Sequence, residues 1–597
     1  MERSYWSSVL TQRQLSRRRM LVGAAGVTAG ALALSLVGCG SGDEDTTVKG
    51  DASGLLTKPV DTTRKAKVGG TRPSSYDEDV ITMDVILLNA SPTYPQLIPV
   101  YSQLVKAGLN EDRLPGGEDI VGDFAESWEF SADGTQLTFH LRQGMKWDRR
   151  PPTNGRVINS ADVKFSWDKF VELGNSGGEL AQARNEDAAV VSMTTPDDMT
   201  VVFNLAFPYG GILDIFANQQ TFYVMPADDG SGFNYAADTR GTGPYELEKF
   251  VPSASATYKR RDDWYGSPEP YFDRLERTLI SDYSAVLAQF EAGRIWDYPD
   301  LKPDDVLSVK KRNPGMQMQA MKEIDGAAQF FNFSKKPGDV FEDVRLRRAL
   351  NMTLDRDLLL DVFFGTEQFI SAGLPITKYW HSHLAAGQPE WIDPRGTGLG
   401  EGAKYFEYNL ADAKKMVEAS GVEMPVVAPF GYWTDRAFDV VKQNEVMHAM
   451  MNESGIFNLD LDGLAYATEW RKKRQSGGTT FDGVLAHRAS GLSADLIFTQ
   501  KYTPGGRNSV NSLGPTPVIT DLVLKQKTEL DPKVRRGIIE EIQRALALEM
   551  PDMPVPGDVP GFRLHWPQLA NYGVFIQGNA SAKDFTRMWY DESKLEA

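Results

Sequence analysis

Cysteine is nearly absent from this chain of 597 residues, which contains only Cys39. A single thiol excludes an intramolecular disulfide, so a folded body of this size must be stabilised by its apolar core. Histidine is also scarce, with six residues, and this leaves few of the ligands that a zinc-type site needs. Basic residues number 64 against 81 acidic ones, a formal charge of −17. This balance argues against nucleic acid or an anionic membrane surface as the principal partner.

Long uncharged runs are equally rare, and the one near the start, residues 20–38, follows the arginines Arg17, Arg18 and Arg19. A basic cluster, a mildly apolar stretch and small residues are typical of an export signal. Leu36-Val37-Gly38-Cys39 resembles a bacterial lipobox, in which the cysteine is lipidated. Residues 1–38 are therefore predicted to be a twin-arginine lipoprotein signal peptide. The alternative is an uncleaved membrane anchor, because this length could span a bilayer.

The stretch after Cys39 has few apolar residues, and up to residue 70 it consists mainly of Gly, Ser, Thr and charged side chains. Such a composition buries too little apolar surface to fold, so residues 39–70 are predicted to be a flexible tether. Residues 1–38 hold five arginines and one glutamate, which leaves the rest of the chain 59 basic and 80 acidic side chains, a charge of −21. The length of that remainder predicts two to four domains.

Strand and helix patterns alternate along the body of the chain. Apolar Leu137, Phe139 and Leu141 alternate with polar residues, which predicts a half-buried strand. Asn409 stands before an apolar stripe that Gly421 terminates, which predicts a capped helix. Short strands between such helices indicate an α/β protein with several sheets.

Several short blocks match one family in their order and spacing. They are Glu126-Ser127-Trp128, residues 139–147, residues 161–167, residues 241–245, Phe331-Asn332-Phe333, residues 341–350 and Arg507-Asn508. The chain, from about residue 71 to residue 591, resembles the bacterial extracellular solute-binding proteins of family 5, the dipeptide, oligopeptide and nickel type. Arg149-Arg150-Pro151-Pro152 departs from the short acidic turn that is usual there.

The resemblance implies an α/β, two-lobed periplasmic-binding-protein-like type II fold with an extra subdomain in the first lobe. The expected ranges are 71–322 for the first lobe, including an extra subdomain at about 115–235, then 323–500 for the second lobe and 501–597 for the return to the first. Closure of the lobes would trap one solute. An ATP-driven import permease would then receive the solute from a lipid-anchored, monomeric receptor, exported to the periplasm or to the outer face of the cytoplasmic membrane.

The resemblance also implies where the solute contacts lie. Trp470 matches a tryptophan that flanks the solute in peptide-binding members, and the alternative is a core tryptophan. Arg488 falls where those members carry a second pocket tryptophan. Gly491 replaces the aspartate that pairs with a peptide's amino group, and Asp495 is the residue that could take over this contact. By the same analogy Tyr94, Tyr245 and Asn332 lie near the solute or the lobe junction.

These substitutions predict a solute with an anionic group and some apolar or ring surface. The alternative is an unmodified peptide held through Asp495. The sequence itself, with six histidines and one cysteine, predicts no cofactor and no metal.

Catalytic patterns are weak in this sequence. Gly174-Asn175-Ser176-Gly177-Gly178 fits a nucleophile elbow, but a helix-like stretch precedes it where a strand is required. The glycines between 396 and 402 lack a surrounding βαβ pattern. His381 and His383 are spaced for two metal ligands, yet a loop pair beside Trp380 is the simpler account. The sequence therefore predicts a non-enzymatic protein, with a hydrolase, a chaperone-like lipoprotein or a sensory receptor on the same fold as alternatives.

Overall fold

The computed structural model shows a mixed helix and strand protein. The structure describes residues 50–87, 94–111, 119–174, 176–186, 188–227, 232–321, 327–435, 438–475, 480–490, 493–503, 517–575 and 583–595. Within them no helix has the length and apolar character needed to span a bilayer.

The strands are short, and most belong to three larger sheets. In chain order they are β1 (Thr71–Tyr76), β2 (Val105–Ala107), β3 (Ile120–Gly122), β4 (Ala125–Phe130), β5 (Gln136–Leu141), β6 (Val190–Asp197), β7 (Thr200–Leu205), β8 (Tyr245–Val251), β9 (Ser255–Arg260), β10 (Arg274–Leu279), β11 (Gln317–Ala320), β12 (Ala327–Phe333), β13 (Tyr379–Trp380), β14 (Val426–Trp433), β15 (Phe457–Leu464), β16 (Val484–Ser490), β17 (Asp552–Val555), β18 (Gly557–Asp558), β19 (Phe562–His565), β20 (Leu569–Ala570) and β21 (Trp589–Tyr590).

The α-helices pack around these sheets. They are α1 (Tyr94–Leu97), α2 (Ser160–Leu173), α3 (Gly177–Leu180), α4 (Ile212–Phe216), α5 (Tyr283–Glu291), α6 (Pro303–Arg312), α7 (Val344–Asn351), α8 (Arg356–Phe364), α9 (Thr366–Ser371), α10 (Leu410–Ser420), α11 (Phe438–Glu453), α12 (Arg471–Gln475), α13 (Ala494–Tyr502), α14 (Pro517–Thr528) and α15 (Pro532–Glu549).

The first lobe contains two four-stranded sheets, in the orders β1-β10-β9-β8 and β4-β5-β7-β6. β1 runs parallel to β10, and the other pairs are antiparallel. The predicted strand around Phe139 is confirmed as β5, whose Leu137, Phe139 and Leu141 are fully buried in the core that the two sheets share.

The second lobe is built on a five-stranded sheet in the order β15-β14-β16-β12-β17. β14 is parallel to β15 and β16, while β12 is antiparallel to both β16 and β17. Helices α7, α10 and α11 supply buried residues to its core. The predicted capped helix is confirmed as α10: the side chain of Asn409 accepts a hydrogen bond from the N–H of Asp412, and Gly421 is left-handed with φ 79°.

The chain crosses between the lobes twice. β11 pairs with β19 in the first lobe, whereas β12 and β17 belong to the second-lobe sheet. The crossings therefore lie between β11 and β12 and between β17 and β19. The sequence placed the return at residue 501; in the structure β17, at residues 552–555, still pairs with β12 of the second-lobe sheet. Helices α13 to α15 bury one another's apolar faces, and β17 completes the second-lobe sheet.

Residues 50–70, the described part of the predicted tether, contact the first lobe. Leu56 is buried in a core cluster and forms a β-bridge with Met318. The backbone N–H of Thr62 donates to Oδ1 of Asn571 at 2.8 Å, and Nε1 of Trp589 donates to Oγ1 of Thr62 at 2.9 Å. The few apolar residues of this segment are enough to hold it in place, because they pack against the folded first lobe. Cys39 and the predicted signal lie outside the described residues.

Candidate functional site

Two cavities flank the two crossings. One, of about 240 Å³, lies in the second lobe and includes Gln329 and Val555, next to the points where the chain enters and leaves that lobe. The other, of about 320 Å³, lies in the first lobe and includes Met321, the last described residue before the first crossing. Clefts between lobes are the usual place for small solutes, so these cavities are the candidate site.

Strand register assembles the second-lobe cavity. Arg488 on β16 lies opposite Gln329 on β12, and Gln329 also lies opposite Val555 on β17. Directly opposed residues point to the same face of a sheet, so these three side chains share one surface. Arg488 is exposed there, whereas Gln329 is buried and its Nε2 donates to Oδ1 of Asn444 at 2.5 Å.

His381 and an apolar wall complete this cavity. The imidazole is 4% exposed, and its Nδ1 accepts a hydrogen bond from the N–H of Ala386 at 3.0 Å. Burial, with the nearby cations Arg488 and Arg356, lowers the pKa of His381 to about 3. Half-buried Phe363 and Phe364, at the end of α8, line the same space.

The first-lobe cavity is lined by charged side chains that are largely paired. Nη2 of Arg72 contacts Oδ2 of Asp297 at 2.9 Å. Burial disfavours the charge on Arg72, but Asp297 and Asp584 outweigh it and raise the pKa of the guanidinium. Arg277, whose pKa burial lowers, donates to the carbonyl of Pro95 at 2.6 Å. A neighbouring cavity of about 720 Å³ shares Arg72, Arg277 and Asp297. The first-lobe wall can therefore contact a polar solute through both signs of charge.

Of the six residues proposed from the sequence, Arg488 lines a cavity at the crossings. Trp470 is 2% exposed and lies inside an aromatic cluster. Its Nε1 donates to the carbonyl of Ala486 at 2.9 Å, and its ring stacks on Tyr466 and His487 with centroids 5.1 and 5.8 Å apart. The structure thus places this indole in the core of the second lobe, which is the alternative that the sequence left open.

Asp495 is also buried, at 2% exposure, and is engaged by protein groups. It accepts a hydrogen bond from the hydroxyl of Tyr209 at 2.7 Å and another from Nε2 of Gln526. A Cβ on Gly211 would lie 2.3 Å from this carboxylate. Asp495 therefore joins α13 to the first-lobe segment that precedes α4.

Tyr245 and Asn332 are core residues. The hydroxyl of Tyr245 donates to the carbonyl of Phe272 at 3.1 Å, and burial raises the pKa of this tyrosine. Asn332 is fully buried on β12, where its Nδ2 donates to the carbonyl of Leu485 at 3.2 Å. Tyr94 begins α1, but its side chain lies outside the described residues, as does Gly491. Among the six residues proposed from the sequence, those that the structure describes do not line one common pocket.

Sequence reasoning missed most of the cavity lining. Arg72 and Asp297 are 225 positions apart, and no local motif links them. Gln329 and Phe363 carry no pattern that separates them from core residues. The spacing of His381 from His383 drew attention to this residue, but the only function that the sequence suggested for the pair was metal binding.

The catalytic alternatives find no support in this geometry. Ser176 follows helix α2 and precedes the short helix α3, so it is not on a strand-to-helix elbow. His383 is buried against Asp552, with its Nε2 3.2 Å from that residue's carbonyl, while His381 faces a different neighbour. Across the described ranges no group of three or more His, Cys, Asp or Glu side chains is placed to hold a metal ion.

In a comparison with known families, residues 119–506 match the model described as "Bacterial extracellular solute-binding proteins, family 5 Middle". Among curated proteins, the dipeptide-binding protein of Escherichia coli (strain K12) is 25% identical over 370 residues, covering 58% of this chain and 64% of that protein. The chain thus matches just under two thirds of the length of this relative.

Solved structures share the architecture. The chain is similar to the periplasmic binding protein DppA from Helicobacter pylori in complex with the peptide STSA, with a TM-score of 0.68, 17% identity, and coverage of 89% of this chain and 99% of that one. It is also similar to NikA from Brucella suis in complex with Fe(III)-EDTA, with a TM-score of 0.67, 18% identity, and coverage of 87% and 100%. At these identities the likeness establishes the two-lobed fold.

Proposed function

Because this chain belongs to the bacterial extracellular solute-binding proteins of family 5, we propose that it is the receptor of an ATP-driven importer. It captures a peptide-like or other small organic solute between its lobes and delivers it to a membrane permease. Proteins of this family bind substrates for transport, which supports this role over catalysis. A two-lobed fold supports capture by closure, since a solute that contacts both lobes stabilises the closed state.

The observation that carries the proposal is the position of Arg488. This exposed arginine lines a cavity of the second lobe, next to the points where the chain crosses between the lobes. A solute bound there can be covered by the opposing lobe. A guanidinium fork binds a carboxylate through two parallel hydrogen bonds. The solute therefore carries a carboxylate or a similar anionic group beside the cation.

The apolar part of the solute contacts the phenylalanine wall. Phe363 and Phe364 provide ring surface next to Arg488. This favours an acid with apolar or ring surface over an unmodified dipeptide, because Asp495 is already bonded to Tyr209 and Gln526. The ligands of the two similar structures fit both classes: a peptide ends in a carboxylate, and the EDTA chelate in the NikA structure carries several.

The receptor is further proposed to be lipid-anchored through Cys39 on the outer face of the cytoplasmic membrane or in the periplasm. A tethered receptor stays near its permease at a high effective concentration. The multiple acyl chains expected on a lipoprotein cysteine would hold the protein firmly. Cys39→Ala should move the protein from the membrane fraction to the soluble exported fraction. Unchanged membrane fractionation of the variant would contradict the lipid anchor and leave solute capture untouched.

Calorimetric titration tests the solute class. The protein is titrated against a dipeptide and tripeptide library and a set of aromatic and aliphatic carboxylic acids. Arg488→Ala should weaken binding of the best solute by about 10- to 100-fold, because a charge-assisted hydrogen bond contributes about 1.5–3 kcal/mol. The matched control is Arg345→Ala, another second-lobe arginine, whose guanidinium is bound to Asp343.

Equal affinity of Arg488→Ala and the wild-type protein would contradict the assignment of this cavity. Tight binding of unmodified peptides that is lost only in Asp495→Ala would favour the peptide alternative. Absence of binding to every peptide and acid in the set would contradict the proposed function.

A further inference from the structure

The tautomer of His381 is fixed by the backbone. Its Nδ1 accepts a hydrogen bond from the N–H of Ala386 at 3.0 Å, so this nitrogen carries a lone pair. In a neutral imidazole the other nitrogen then carries the hydrogen. Nε2 of His381 is therefore a donor.

The surroundings keep this ring neutral. The imidazole is buried, and the guanidinium groups of Arg488 and Arg356 both act against a second positive charge. An imidazolium here would lose its hydration and repel two cations. The ring consequently offers one N–H and no charge over the physiological pH range.

His381 and Arg488 line the same cavity, together with Asp558 on β18. Gln329, their neighbour on β12, has its amide nitrogen committed to Asn444 at 2.5 Å. Arginine alone attracts an anion but leaves its orientation loosely determined. A second donor on a buried and immobile ring selects one oxygen position and disfavours a group that presents an N–H there.

We propose that His381 is a specificity-determining residue, whose Nε2–H and the Arg488 guanidinium together hold the acidic group of the solute. The proposal rests on the proposed function and narrows the solute to a carboxylic acid or a close oxyanion analogue. A carboxamide of the same shape is disfavoured, because it has one acceptor oxygen for two donors, and its NH₂ would face either the histidine N–H or the guanidinium. The phenylalanine wall takes the apolar part.

Substitutions at His381 separate the donor from the structural role of the ring. In His381→Asn the side-chain oxygen can still accept from Ala386, but no donor reaches the position of Nε2. In His381→Gln the amide nitrogen reaches the position of Nε2. His140→Asn, at a half-buried position on β5, is the matched control, and circular dichroism checks that each variant is folded.

The probe pair is N-acetylphenylalanine and N-acetylphenylalanine amide, titrated calorimetrically. The wild-type protein should prefer the acid, and this preference should fall about tenfold in His381→Asn. It should be largely restored in His381→Gln and unchanged in His140→Asn. An unchanged preference in His381→Asn, with binding intact, overturns the role of His381 while the proposed function stands. Absence of binding to these probes and to all peptides overturns both.

A measurement without solute tests the tautomer directly. In protein labelled with ¹⁵N-histidine, the His381 signal, assigned by its loss in His381→Asn, should show the Nε2–H form at every pH from 5 to 8. A signal that titrates to the imidazolium in this range, or one showing the Nδ1–H form, overturns the proposal whatever the solute is.

Discussion

Asp214, on the short helix α4, is a carboxyl group buried at the contact between the first lobe and helices α13 to α15. It is 5% exposed and faces the acids Asp495 and Glu390, the cation Arg535 and the hydroxyl of Ser493. Burial is the largest influence, and together with the two acids it raises the pKa of Asp214 from 3.8 to about 7. The carboxyl is thus predominantly protonated below neutral pH.

This pKa predicts a pH dependence of stability. A raised pKa means that the folded protein holds the proton more tightly, so the stabilisation is complete below pH 3.8 and is lost as the pH rises to 7. The upper bound on the loss is about 4 kcal/mol. In Asp214→Asn the free energy of unfolding, measured in urea at pH 5 and pH 8, should change less between the two than in the wild-type protein.

Asp198→Asn, at an exposed position, is the control and should keep the wild-type dependence. A steep fall in stability between pH 5 and pH 8 that persists in Asp214→Asn would assign the titration to another group.

Helix α2 contains residues 161–167, one of the sequence blocks that match family 5, and this block stabilises the fold. Oδ1 of Asn159 accepts from the N–H of Asp162 at 3.3 Å, and Oδ2 of Asp162 accepts from the N–H of Asn159 at 3.0 Å. The same carboxylate accepts from Nε1 of Trp147 at 2.9 Å and from the N–H of Ala227 at 2.8 Å. A capping box thereby ties this helix to two other segments.

Loss of this carboxylate should destabilise the whole first lobe. Asp162→Ala removes the cap and leaves a buried indole N–H and a backbone N–H unpaired, at a cost of about 3 kcal/mol. Asp168→Ala, an exposed position on the same helix, should cost less than about 0.5 kcal/mol. Urea denaturation followed by tryptophan fluorescence measures both. Equal midpoints for the two variants would show that the buried carboxylate contributes little.

At the scale of the whole molecule, contacts remote from the crossings join the two lobes. The N–H of Gly210 donates to the carbonyl of Lys527 at 2.9 Å, and the Lys527 ammonium lies 4.8 Å from the Phe207 ring centroid. Tyr209 bonds Asp495 beside them. Such contacts stabilise a closed arrangement independently of a solute.

Small-angle scattering tests this closure. Tyr209→Phe removes one hydrogen bond of the contact, so the solute-free variant should have a larger radius of gyration than the wild-type protein. A saturating solute should reduce the radius and raise the melting temperature by mass action. Tyr408→Phe, at an exposed second-lobe position, should behave as the wild type. A radius that stays the same with and without solute would contradict closure.

The sequence by itself determined the family, the two-lobed α/β architecture and several elements, among them β5 and the capped helix α10. These depend on short-range information. Alternation of apolar and polar residues, a helix cap and a left-handed glycine each act within a few residues. The order of the family motifs can likewise be seen in the sequence without the structure.

Only the tertiary structure decided which side chains line the cavities. Arg488 and His381 line one cavity, Arg72 contacts Asp297 over 225 positions, and Trp470 is buried in the core. The packing of residues 50–70 and of helices α13 to α15 was not visible in the sequence for the same reason, since their burial depends on surfaces formed by distant segments. Local patterns specify which elements form, but long-range packing decides which side chains remain open to a solute.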